Sequence, residues 1–109
     1  MYLYNITYNI SEEIHEKWLH WMRTIHIHEV INTSHFIGAK LIKVLIEEEM
    51  GGVTYSVQYQ VENKDILENY HKNYHALFVE KMNRLFIDNY VNFSTELLII
   101  EEFNSFSSS

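Results

Sequence analysis

Apolar and polar residues alternate along the start of the chain. Tyr2, Tyr4, Ile6, Tyr8 and Ile10 fall on one side and Asn5, Thr7 and Asn9 on the other. Successive strand residues point to opposite faces, so this segment predicts a strand with one packed face. The period then lengthens. Ile14, Trp18, Trp21, Met22 and Ile25 recur at helical spacing, with Glu13, Glu16, Lys17, His20 and Arg23 mainly opposite them. Ser11 offers an N-cap hydroxyl, and the charges of Glu12 and Glu13 suit the positive end of a helix dipole. Residues 27–32 either extend this helix or form a second, offset turn before Thr33, Ser34 and His35 loosen the chain.

Residues 40–61 predict a long β-hairpin. Gly51-Gly52 supplies two residues that adopt positive φ without steric cost, as a two-residue reversal requires. Folding about that pair sets Ile46 opposite Val57, Val44 opposite Tyr59 and Ile42 opposite Val61. On the second strand Val53, Tyr55, Val57, Tyr59 and Val61 alternate with Thr54, Ser56, Gln58 and Gln60. Asn63 then caps a second helix over 64–86, with Leu67, Tyr70, Tyr74, Leu77, Phe78, Met82 and Leu85 as its apolar stripe. A last strand alternates Val91, Phe93, Thr95, Leu97 and Ile99 with Asn92, Ser94 and Glu96.

The order βαββαβ implies an α+β fold of the ferredoxin-like kind, a four-stranded antiparallel sheet with two helices on one face. Residues 1–102 form a single domain on this reading, and residues 103–109 a flexible tail. The first and third strands are central, so Asn5, Thr7, Asn9, Thr54, Ser56, Gln58 and Gln60 line the face away from the helices. Leu3, Leu41, Leu45, Leu98 and Ile100 are expected at its margins. That face is hydrogen-bonding but scarcely ionic, which suits contact with another sheet better than contact with water. A homodimer through the sheet face is the expected assembly.

Composition narrows the function classes. A chain of 109 residues, 47% hydrophobic and 15% aromatic, has enough apolar surface for one core and is not of disordered type. It has no cysteine, which removes disulfides, thiolate metal sites and a thiol nucleophile. A formal net charge of -7 with scattered Lys and Arg argues against a nucleic-acid partner. The chain begins in a strand pattern, without a signal layout or a membrane-length apolar run, so cytoplasmic location is the expectation and no membrane partner is expected. There is no glycine-rich phosphate loop and no G-x-S-x-G.

Seven histidines raise the question of a metal. His71 and His75 lie four apart on a helix, but no third ligand accompanies them, and His26 and His28, two apart on a helix, point apart. No metal and no resident cofactor are expected. The candidate site is His26, as acid, base or hydrogen-bond donor, with Trp18, Trp21, Tyr55, Gln58 and Glu96 around a bound molecule. The alternative for His26 is a plain hydrogen bond to backbone where the helix ends; for the tryptophans it is core filling; and Glu96 can be a rim residue or a partner for a cation across the dimer. The charge run Glu47-Glu48-Glu49 is expected to be a solvated hairpin tip.

W-L-H-W-M at 18–22, H-I-x-E-V at 26–30, E-E-M-G-G-V-T-Y-S-V-Q-Y at 48–59 and F-S-T-E-L at 93–97 together resemble a family of short bacterial proteins catalogued as a domain of unknown function. The likeness spans residues 2–100, and the hairpin motif is its most specific part. The family pattern has proline at position 28 and glycine at 34, where this chain has His28 and Ser34. More loosely, W-x-x-W-M followed by H-I resembles the first helix of dimeric α/β-barrel proteins, whose sheets pack face to face in pairs. That superfamily holds cofactor-independent monooxygenases, isomerases, haem-degrading enzymes and modules without known activity. It implies a dimer and chooses no reaction. Three readings follow: binding of a small apolar or aromatic molecule between helices and sheet, a monooxygenase or isomerase using His26, or a structural or regulatory dimer without catalysis.

Overall fold

The alternating start of the chain forms β1 (Tyr2–Ile10), whose inner row Tyr4, Tyr8 and Ile10 is buried at the middle of the core. A computed structural model describes residues 1–46 and 51–105. β1 is central because both its edges are paired antiparallel, one with β3 (Val53–Val61) and one with β4 (Tyr90–Leu98). β2 (Gly38–Lys43) lies outside β3, giving the order β2-β3-β1-β4. One helical segment joins β1 to β2 and another joins β3 to β4, and both pack on the same side of the sheet. The fold is the expected ferredoxin-like α+β arrangement.

Each helical segment contains a single π-turn. The first runs through α1 (His15–Trp21), a π-turn at Met22–His26 and α2 (Ile27–Ile31). The second runs through α3 (Lys64–Tyr70), a π-turn at His71–His75 and α4 (Ala76–Phe86). In the first turn the Ile27 N–H donates to the Met22 carbonyl, five residues back. The wider turn holds an extra residue and shifts the inward phase. Buried positions become Trp18, Met22, His26 and Val30, each four apart, and Ile25 turns outward to 46% exposure. In the second segment the inward series is Tyr70, Tyr74, Phe78, Met82 and Phe86. Leu77 and Leu85, expected in the stripe, are exposed for the same reason. The segment 27–31 therefore continues the first helix.

The caps differ from one another. Asn63 accepts a hydrogen bond from the Ile66 N–H at 3.0 Å, as expected. Ser11 does not cap the first helix, which begins only at His15 without a side-chain cap. The Ser11 hydroxyl instead donates to Asn89 Oδ1 at 3.2 Å, joining the ends of β1 and the second helical segment.

The hairpin register also corrects the expectation. β2 pairs with Leu41 opposite Val57 and Ile42 opposite Ser56, and the ladder reaches the Val44 N–H bonded to the Thr54 carbonyl. Relative to folding about Gly51-Gly52 as a two-residue turn, this is a slip of five positions. An odd slip turns every side chain to the opposite face. Leu41 therefore faces the helices, whereas Ile42 faces away. Both glycines do have positive φ, +82° and +87°. At Gly52 the cause is proximity to β1: a Cβ there would meet the Ile10 carbonyl oxygen at 2.9 Å. The charge run 47–49 lies outside the described residues.

β4 presents its polar row to the helix side. Glu96, Ser94 and Asn92 sit beside Tyr4, Ile6 and Tyr8, and Leu98 beside Tyr2. Leu98 is thus on the helix side, not on the margin of the open face. Val91, Phe93 and Leu97 share that open face with Asn9, Thr7 and Leu3, and Phe93 is 64% exposed.

The segment after α2 ends in a left-handed residue, Ser34, with φ of 70° and its N–H on the Ile31 carbonyl at 3.0 Å. That conformation costs a non-glycine residue about 1 kcal/mol. Ser34→Gly should raise unfolding stability by roughly 0.5–1 kcal/mol in urea denaturation. An unchanged or lower midpoint would contradict this account of the turn.

Candidate functional site

The two π-turns and the polar row of β4 meet at one cavity of about 330 Å³ between the helices and the sheet. The sheet supplies Tyr4, Ile6, Tyr8, Tyr90, Asn92, Phe93 and Ser94; the helices supply His26, Tyr70, His75, Phe78, Val79 and Met82. Among the described residues lining it, none is Asp, Glu, Lys or Arg. Its polarity comes from phenol, imidazole, amide and hydroxyl groups alone.

His26 is the most unusual of these. It is 4% exposed, and its Nδ1 is enclosed without a hydrogen-bond partner. Its ring stacks on Trp21 at 4.7 Å and meets the Phe78 ring edge-on at 5.6 Å. Burial, with a smaller contribution from Lys81, pulls its imidazole down to about 4. It is therefore neutral at pH 7, with one ring nitrogen donating and the other accepting. A buried nitrogen without a partner costs stability.

The other groups are neutral too. Burial raises Tyr8 and Tyr70 far above the ordinary phenol range, with neighbouring tyrosines adding to the effect. Tyr4 is raised by burial and by Glu96, partly offset by a hydrogen bond with Ser94. His75 is half-buried, and both burial and the adjacent His71 lower it. Its ring lies parallel to that of His71, 5.1 Å away. Among the described residues no group of three or more potential ligands could hold a metal ion.

Of the residues marked out in the sequence, His26 and Trp21 come together. Trp18 is wholly buried between Tyr8 and Tyr55, 5.2 and 5.4 Å away, and fills the core. Tyr55 is held by His15, whose Nε2 lies 2.7 Å from the phenol oxygen, and borders no part of the cavity. Gln58 lies on the opposite face of the sheet, beside Asn5 and Lys40. Glu96 borders a separate open depression with Lys64, His71 and Lys72. The bland alternative for His26, a hydrogen bond to backbone at the end of a helix, does not occur: the helix continues past it, and Nδ1 is free.

Sequence reasoning did not find Tyr70, His75, Tyr90, Asn92 and Ser94. The available signal was the four-residue spacing Trp18, Met22, His26, Val30. An ordinary helix of 3.6 residues per turn drifts by about 40° per such step, so an unbroken series announces a wider turn.

The open face has its own chemistry. Asn9 donates to Thr54 Oγ1 at 3.2 Å, Asn5 donates to Thr7 Oγ1 at 3.3 Å, and the Ser56 hydroxyl donates to Asn5 Oδ1. These polar groups bond among themselves, so covering them strands few donors. Val44, Ile46, Val91, Phe93 and Leu97 join them in lining a groove of about 840 Å³ along this face.

Residues 1–100 match a family described as "Domain of unknown function (DUF4286)". The chain belongs to that family. No curated protein sequence matches it. Among solved structures, the DUF4286 chain is similar to a dimeric ferredoxin-like protein from an uncultured marine organism, at 13% identity and TM-score 0.68, covering 96% of this chain and 100% of that one. A substituted form of MhuD with two manganese protoporphyrin IX bound per active site is similar at 15% identity and TM-score 0.70, again covering 96% and 100%. A candidate antibiotic biosynthesis monooxygenase from Nitrosomonas europaea is similar at 9% identity and TM-score 0.67, covering 93% and 100%. At such identities the likeness establishes the fold. No helix among the described residues of this DUF4286 protein is long and apolar enough to cross a membrane.

Proposed function

We propose that this DUF4286 protein is a homodimer, joined through its open sheet face, that binds a small planar aromatic molecule in the cavity between helices and sheet. The observation that carries the binding reading is His26, which lines a cavity rich in tyrosine and whose enclosed Nδ1 has no protein partner. A volume of about 330 Å³ lies at the small end of ligand sites. The flat walls of Tyr70, Tyr90 and Phe78 favour stacking against another ring. A porphyrin, as in the MhuD structure, is a poor match, because its propionates would find no cation in the lining.

The dimer reading is supported by the self-satisfied polar network, by the apolar residues flanking it, and by the dimeric description of a structural neighbour. Soluble planar arenes titrated calorimetrically should bind saturably, one per protomer, and shift the NMR signals of His26 and Trp21. Titrations without saturation for any arene, or shifts confined to the open face, would refute the binding reading.

A second reading is favoured by the same residue. A neutral imidazole is the form a proton acceptor needs, so turnover of the bound arene in the manner of the monooxygenase neighbours would use His26. Oxygen consumption that is seen with the bound arene and lost in His26→Ala would support it; binding without consumption leaves the protein a binder.

A further inference from the structure

Two features of the cavity go beyond the binding of some planar molecule. Both π-turns end in histidine, His26 in one and His75 in the other, and both histidines line the same cavity. π-turns are rare, interrupt regular helical hydrogen bonding, and gather at functional sites. Here one occurs in each half of the βαββαβ fold, and each directs an imidazole to a wall that otherwise carries no charge. The second feature is the state of those imidazoles: each neutral ring offers one N–H donor and one bare nitrogen acceptor, and the enclosed His26 Nδ1 has no protein partner.

We infer that His26 and His75 form a two-histidine recognition pair for an uncharged, planar hydroxyarene, whose hydroxyl group is held by the imidazoles. This deepens the binding reading above and rests on it. The chemistry selects the class by elimination. A carboxylate or phosphate would lose its hydration and meet no cation among the lining residues, and an ammonium group would meet no carboxylate. A plain hydrocarbon would fill the volume yet leave both imidazole acceptors unpaired. A quinone or other carbonyl compound only accepts, so it can pair an N–H but not a bare ring nitrogen. A phenolic hydroxyl does both: it donates to a ring nitrogen and accepts from an N–H or from one of the tyrosine hydroxyls nearby. Trp21, stacked on His26, and Phe78, edge-on to it, hold the imidazole plane fixed against the ring that would bind.

Three probes with the same ring system test this on the full-length protein at pH 7.5: 2-naphthol, 2-naphthoate and naphthalene, titrated calorimetrically. The pair predicts 2-naphthol binding about tenfold tighter than either of the others, the difference expected of one buried hydrogen bond made or missing. That preference over naphthalene should disappear in His26→Phe and in His75→Phe. His75 is half-exposed, so His75→Phe keeps the question answerable if the buried substitution does not fold. Equal affinity for naphthoate and naphthol, or a naphthol preference that survives in the folded variants, would overturn the two-histidine pair while leaving arene binding intact. Failure of all three probes to bind would remove the binding reading itself.

Discussion

If the proposed sheet-face dimer forms, replacing Phe93 by aspartate should leave the protein monomeric at micromolar concentration. Phe93 is 64% exposed in the isolated chain and sits on β4 facing away from the helices, beside Thr7 of β1. Covering a phenylalanine is worth about 2–3 kcal/mol, and a carboxylate in its place must be desolvated as well. A two-fold interface contains the substitution twice, so the dissociation constant should rise by roughly four orders of magnitude. Ile42→Asp, on β2 and on the same face, should act similarly although its side chain is remote from β4. Sedimentation equilibrium measures both. The fold should survive, because neither residue belongs to the buried core; variants that remain fully dimeric would show that the sheet face is not the interface.

The second large effect is on the acid side of stability. The folded-state pKa of His26, about 4, lies below its ordinary 6.5. Between those values the unfolded chain binds a proton that the folded chain refuses, so stability rises with pH across this window. The contribution is complete above about pH 6.5 and is lost progressively as pH falls towards 4. Its size is about 3 kcal/mol. His75, also lowered, acts in the same direction with a smaller burial. His26→Phe keeps the stacking partner for Trp21 and removes both the titration and the orphaned nitrogen. The variant should match or exceed the wild type at pH 7, by about 1 kcal/mol, and exceed it by more at pH 4.5. Urea denaturation at the two pH values gives the difference directly. Parallel losses in wild type and variant would mean that His26 is not the buried neutral group described.

That substitution also separates two reasons for having a histidine there. A histidine retained for packing would be costly to replace. One retained for a ligand costs stability in the empty protein, so its replacement stabilises the fold while damaging binding.

Much of the architecture was legible in the residues. The alternation in β1 and β3, the Asn63 cap and the order of elements suffice for the ferredoxin-like sheet, because each depends on local periodicity. What local periodicity does not carry is phase. In β4, Val91, Phe93 and Leu97 alternate like a core row, but they face away from the helices, and Asn92, Ser94 and Glu96 face them. Alternation alone does not say which of the two rows faces the helices. In the helices, an ordinary helical template turned Ile25, Leu77 and Leu85 inward, since it has no place for a π-turn. At the hairpin, Gly51-Gly52 looked like the reversal itself, whereas the described ladder ends at Val44 and Thr54 and Gly52 instead clears β1.

The site followed the same division. His26 was visible as a histidine beside aromatics, and Trp21 as its neighbour. Gln58 was expected beside it and lies across the sheet, since β3 alternation puts Gln58 with Ser56 on the open face. Tyr70 was legible as part of the inward stripe, whereas His75 depends on the phase of the second π-turn and Asn92 and Ser94 on the facing of β4, so these could not be assigned before the backbone was known.

Nitrogen-15 NMR of the histidine rings, recorded from pH 7.5 down to pH 4.5 with and without 2-naphthol, tests the state of His26 most directly. The predicted result is a ring that stays neutral through pH 6.5 and begins to take up its proton only towards pH 4.5 in the empty protein, and whose nitrogen signals move when the hydroxyarene is added. A His26 ring that takes up its proton near pH 6.5, or that is indifferent to the added arene, would contradict the account.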